Sequence, residues 1–135
     1  ASDNVSLNGR AIISGSANSQ SYYSYINHFI KHDGTPTHEL NSSLDATSWK
    51  LIKEGLGNAS TENLQAEFTI NNPSETTYEK FMSGIVGFTH YDASRAANNI
   101  GTYCYNNGTV AWTGIQFFMS SGNIDSAIIK LYGIS

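Results

Sequence analysis

The apolar residues of this chain recur at every second position and rarely at helical spacing. LQAEFTINN is the plainest run, with Leu64, Ala66, Phe68 and Ile70 on one side and Gln65, Glu67 and Thr69 on the other. Successive side chains of an extended chain point to opposite faces, so this run is predicted to be a strand with one face buried. VSLNGRAII repeats the pattern through Val5, Leu7, Ala11 and Ile13, and Gly9 is expected to mark a bulge. YYSYINHFIK is strand-like on both faces. In EKFMSGIVGFTHY, Phe81 and Ile85 oppose Met82, Val86 and Phe88, which predicts a strand covered on both sides. TSWKLIKEGLG has some helical spacing, but Trp49 and Leu51 also alternate with Lys50, Ile52 and Glu54, and strand is favoured. NNIGTYCYN, VAWTGIQFFM and AIIKLYGI bring the set to about eight strands.

The stretches between these runs have turn chemistry: NSS, NNPSETT, YDASRAANN, NNG and SSGN. Pro73 cuts the strand before it, and Asn107–Gly108 predicts a tight hairpin. Short strands at this spacing, without helices between them, predict an all-β fold. We expect an antiparallel β-sandwich, jelly-roll-like, with residues 1–135 as one domain. AIIKLYGI is expected to be its closing strand, paired and buried, because chain ends fray unless a sheet ties them down.

Composition narrows the function classes. Charged residues are only 13% of the chain, with Ser, Thr, Asn and Gly in their place, a balance common in secreted and virion β-proteins. The net charge of −4 and the scattering of 7 Lys and Arg argue against nucleic acid, which needs a basic patch to displace counterions. They also argue against a polybasic membrane segment, and no long apolar run calls for membrane insertion. With one cysteine, Cys104, neither an intrachain disulfide nor a cysteine zinc cluster is available. Alternation places that thiol opposite the face of Tyr103 and Tyr105, where a buried, inert role is expected.

No catalytic or metal-binding motif emerges. His28, His32 and His38 lie near Asp33 and Glu39, but HxxxH here lacks the glutamate of a zinc protease. In a strand, positions four apart are roughly 13 Å from each other, too far to share one metal. We read these as solvated loop histidines and expect no metal and no cofactor. The acids Glu62, Glu67, Glu75, Glu79, Asp92 and Asp125 are scattered, and a glycosidase needs two carboxylates held close together. The eight tyrosines are more informative. An exposed phenol offers apolar area and a hydrogen bond together, which suits sugars and protein surfaces. The candidate ligand-contact residues are Tyr22, Tyr25, Tyr91, Asp92, Arg95, Tyr103, Tyr105 and Asn106; the competing role for each ring is core or subunit interface.

From Trp49 onward the chain resembles a known family. WKLIKEGLGNASTENLQAEFTINNPSETTYEKFMSGIVGF and VAWTGIQFFMSSGNIDSAIIKLYGIS carry, in order, a W-x-L strand, a GN loop, an alternating strand ending in NP, a Y-x₂-F strand and a TGIxFxxSSGNI…IKLYGI close. This resembles the C-terminal β-sandwich domain of bacteriophage and prophage tail or fibre-like proteins. The match covers about two-thirds of the chain, and the first forty-odd residues only loosely.

The resemblance implies a non-enzymatic virion appendage domain for host-surface attachment, binding a cell-surface glycan or protein beside other virion proteins. A purely structural virion protein is the alternative, and a glycan-cleaving depolymerase a more distant one. The resemblance also implies that Trp112, Gly114, Ile115, Phe117, Gly122, Ile124, Leu131, Tyr132 and Gly133 determine the fold. Relatives have further strand-forming sequence before the segment matching VSLNGRAII, so either the chain is trimmed or a neighbour supplies the pairing edge. The latter implies a homo-oligomer, with a trimer favoured.

Overall fold

The computed structural model describes residues 3–32, 35–92 and 95–134. Among them there is no helix; the strands are β1 (Leu7–Ile13), β2 (Ser16–Ala17), β3 (Tyr23–His32), β4 (Pro36–Ala46), β5 (Trp49–Lys50), β6 (Leu64–Ile70), β7 (Phe81–His90), β8 (Arg95–Tyr105) and β9 (Gly114–Met119). They form two antiparallel sheets. The larger has the order β4-β3-β8-β7-β6; in the smaller, β1 pairs with β2, β5 and β9. The chain is an all-β sandwich.

The period-two reading holds where a strand has one apolar face. In β7, Met82, Val86 and Phe88 are buried, and in β8 Ala97, Tyr103 and Tyr105 are buried. In and beside β1, Val5, Leu7 and Ala11 join the core and Ile13 packs against it. Ser14 and Gly15, both at positive φ, make the two-residue turn that brings Ile12 and Ile13 opposite Ala17 and Ser16. Such turns need positive φ at both central positions because their twist then matches that of the strands.

Gly9 is not a bulge. Its pairing with Phe117 lies in an unbroken register running from Leu7↔Met119 to Ile12↔Gly114. It serves close approach instead. A Cβ there would lie 3.3 Å from Leu51 Cδ1 and 3.4 Å from Trp49 Cε3, so the missing side chain leaves the indole its place.

Several sequence expectations need correction. NSS is not a turn, since Ser42 and Ser43 lie within β4 and pair with Ile26 and Tyr25. YDASRAANN contributes Arg95–Asn99 to β8. Asn107–Gly108 does turn, with Gly108 at φ 69°, but it joins strands of different sheets and so closes no hairpin. The TSWKLIKEGLG strand is only two residues long, after which Leu51 and Ile52 are buried without strand pairing. Phe81 and Ile85 are exposed, so β7 is covered on one face only. AIIKLYGI forms no strand, and Ile124, Leu131 and Tyr132 lie outside the core that the resemblance assigned to them.

One end of the interior is aromatic. Trp49 is fully buried, with its ring centroid 5.0 Å from that of Tyr23 and 5.1 Å from that of Trp112. Tyr23 also meets Tyr105 edge to face at 5.2 Å. The Trp49 indole N–H donates to the Cys104 carbonyl at 2.7 Å, and Asn27 Nδ2 donates to the Lys50 carbonyl at 2.7 Å. Both bonds cross from one sheet to the other. The Tyr23 hydroxyl does the same, accepting from the Ala11 N–H at 3.2 Å and donating to the Asn18 carbonyl at 2.5 Å.

Replacing Trp49 therefore tests what holds the sheets together. Trp49→Ala is expected to lower unfolding free energy by about 3–5 kcal/mol in urea titrations. Trp49→Phe keeps a ring but orphans the Cys104 carbonyl, and about 1–3 kcal/mol should be lost. A Trp49→Ala midpoint equal to that of the parent would refute this role.

Candidate functional site

The outer face of the five-stranded sheet carries an extended surface feature. Its cross-strand partners line up in an unbroken row: Leu40 with His28, His28 with Ile100, Ile100 with Ile85, and Ile85 with Glu67. A parallel row runs through Ser42, Ile26, Thr102, Ser83 and Thr69. Apart from Ser42, the residues of these rows line an open depression of about 600 Å³. Its apolar side chains face solvent, with Leu40 73% and Ile26 55% exposed. Hydroxyls and a carboxylate border them, so the surface offers apolar area rimmed by hydrogen-bonding groups.

Two glycines shape the middle of this face. Gly101 and Gly84 are direct partners on β8 and β7. A Cβ at Gly101 would sit 2.6 Å from Asn27 Cβ and 2.7 Å from the Tyr103 hydroxyl, and one at Gly84 would sit 2.2 Å from the Glu67 carbonyl oxygen. Only glycine lets strand and side chain approach this closely.

The histidines lie on strands rather than loops, His28 and His32 on β3 and His38 on β4. His28 Nε2 and His38 Nδ1 are 2.9 Å apart, a bond that requires one ring to accept while the other donates. His32 pairs with Pro36 at the strand end, and Asp33 lies outside the described residues. Glu39 is bound by Lys53 instead, and that ammonium lowers the carboxyl below its ordinary range. Among the described residues, no group of three or more His, Cys, Asp or Glu is placed to hold a metal ion.

The expected ligand-contact residues do not converge. Tyr103 and Tyr105 are core residues, so their expected availability at the surface is corrected: alternation turns them toward the sandwich interior. Burial raises the Tyr103 hydroxyl to about 12, against the opposing pull of the Asn99 and Asn27 amides around it. Tyr25 pairs with Tyr103, packs half-buried against the core and is raised by the same desolvation.

Tyr22 and Asn106 remain accessible at one end of β8. Tyr22 meets Tyr105 edge to face, and Asn106 accepts from Ser24 and donates to the Leu44 carbonyl, tying β3 and β4 together. Tyr91, Asp92 and Arg95 gather at the other end around His90, whose Nδ1 accepts the Asp92 N–H at 3.2 Å. Arg95 is half-buried and pairs with His90. The eleven residues of β8 separate the two groups by roughly 33 Å, too far for one small ligand. Cys104 does lie opposite the tyrosine face, but it is half-buried, and desolvation followed by the Glu79 charge raises its thiol.

The sequence reading does not single out Ile26, Leu40 and Ile100, and it names Ile85 only as part of a covered strand face. For Ile26, Ile85 and Ile100 the signal is an apolar residue on the second face of a strand whose first face already fills the core; Leu40 lies on β4, which has no buried residue. That doubling was read as double coverage in β7. Searches against protein-family models, curated proteins and solved structures found no match to the chain.

The buried phenols set an alkaline limit. Unfolded tyrosine ionises near 10, whereas Tyr23 and Tyr103 are held at about 12 by burial. Above pH 10 the unfolded chain therefore binds fewer protons than the folded one, and stability falls as pH rises from 10 to 12. Denaturant titrations across that range should show the decline, and Tyr103→Phe should make it shallower. A midpoint independent of pH there would contradict the assignment.

Proposed function

We propose that this chain is a non-enzymatic binding domain of a phage tail-fibre or other virion appendage, with host-surface attachment through the outer face of the five-stranded sheet. The observation that carries the reading is the exposed apolar row from Leu40 through Ile100 to Ile85, set in a depression rimmed by Thr69, Ser83 and Thr102. Contiguous apolar surface of this kind marks interaction sites. The resemblance of the Trp49-to-end segment supplies the virion context. The His28 imidazole, bonded to His38, lines the depression, and no Phe, Tyr or Trp does; sugars are commonly gripped by stacking on such rings, so a surface protein fits this face better than a glycan. Tyr22 with Asn106, and Tyr91 with Asp92 and Arg95, are secondary contact groups at the two ends of the sheet.

The test is adsorption of fluorescently labelled protein to candidate host cells. Leu40→Glu and Ile100→Glu should abolish most binding while changing stability by no more than about 0.5 kcal/mol, as expected of surface substitutions. Protease treatment of the cells should remove binding if the receptor is a protein; survival of binding would turn the reading toward a glycan. Undiminished adsorption of both variants would exclude this face. A purely structural virion protein would not adsorb, and immunogold electron microscopy would place it away from a fibre tip.

A further inference from the structure

Two features of the fold are incomplete in the same way. The first is the side of the sandwich formed by β9 and β6. Among the described residues each pairs on one edge only, β9 with β1 and β6 with β7. Between them the core is thinly covered: Leu64, Phe68 and Ile70 from β6, and Ile115, Phe117 and Met119 from β9, are only half-buried although they pack against it. Phe68 and Phe117 stack across the gap with centroids 6.1 Å apart, so the two sheets face each other here. A strand added to the β9 edge would pair its open backbone groups and cover these side chains.

The second feature is the segment from Ser126 to Ile134. Among the described residues it has no strand partner, and it is exposed throughout, with Ile128 at 90%, Leu131 at 88% and Ile134 at 93%. Its alternation puts Ile128, Tyr132 and Ile134 on one face and Ile129 and Leu131 on the other, interrupted only by Lys130. That is the pattern of a strand covered on both sides. Ser120 continues the pairing with β1, donating its N–H to the Ser6 carbonyl at 3.0 Å, while the Ser6 N–H donates to Ser120 Oγ at 3.0 Å. The chain is thus held along β1 as it leaves the sheet.

We propose that residues 126–134 form an exchanged strand, which pairs with the open β9 edge of a second copy of this chain and closes that copy's core over Phe68 and Phe117. The buried area supports a second copy as the occupant. An aromatic side chain buries roughly 150–250 Å² and the aliphatic ones somewhat less, so one arm brings on the order of 600 Å². With the receiving edge and the reciprocal arm, the total is on the order of 2,000 Å², in the range of stable subunit interfaces. Each chain gives one arm and receives one, so a closed ring of two or three copies leaves none unsatisfied.

The inference is independent of host attachment: a monomer that still adsorbs to cells would remove this proposal and leave that one. Light scattering on the size-exclusion eluate should give the full chain as a dimer or trimer at micromolar concentration. Ile129→Asp with Leu131→Asp should shift it to monomer while the strand signature in circular dichroism persists. As a second readout, Gln116→Cys and Leu131→Cys in a Cys104→Ser background should, on oxidation, give covalent oligomers on a non-reducing gel. A monomeric full chain, or a disulfide formed only within one chain, would show that the segment folds back as a hairpin and would overturn the proposal.

Discussion

The indole of Trp49 is the contact on which the two sheets depend. It sits on a two-residue strand at the edge of the smaller sheet, yet its N–H is bonded to Cys104 of the larger one. Its faces are taken by Tyr23 and Trp112, and the space it occupies beside β1 exists because residue 9 has no side chain. Removing water from so large a ring is favourable, and the one polar atom that would oppose burial has a partner. The Asn27–Lys50 and Tyr23–Ala11 bonds repeat the arrangement on either side. The sheets are therefore locked in register by donors that cross the core as well as by apolar contact.

With the inner face committed to aromatics, the outer face of the larger sheet is left for other work. Leu40, Ile100 and Ile85 fall there in one register row, with His28 between Leu40 and Ile100. The missing side chains at 84 and 101 leave room for the Glu67–Phe68 backbone of β6 and for Asn27 and Tyr103, at the cost of conformational freedom. The polar rim of Thr69, Ser83 and Thr102 keeps this surface compatible with water until something covers it.

The β9–β6 side and the 126–134 segment have the same physical explanation. A sandwich with two unpaired edges on one side leaves its own core half-covered, and an apolar strand without a sheet leaves its surface in water. Each deficiency is what the other would correct. The outer face differs from both, because it lies over a part of the sheet whose strands are paired on either side.

Local pattern determined much of the fold. Alternation in 64–70 and 5–13, and among the buried positions of 81–90, is a property of extended backbone and needs no knowledge of neighbours. It identified an all-β sandwich and placed Cys104 opposite Tyr103 and Tyr105. It could not say which of two apolar faces meets another sheet, because that depends on where the sheets lie; hence Phe81 and Ile85 were expected to be covered, and Tyr103 and Tyr105 were taken for contact residues. Gly9 has the same lesson, since a bulge and a seat for an indole look alike until Trp49 is beside it. Asn107–Gly108 encodes a turn, but whether a turn joins neighbours or crosses between sheets is decided by pairing far along the chain. In AIIKLYGI the residues specify a strand, while the structure alone reveals that none of the described residues pairs with it. Residue pattern fixes which face a side chain takes, and tertiary packing decides what that face meets.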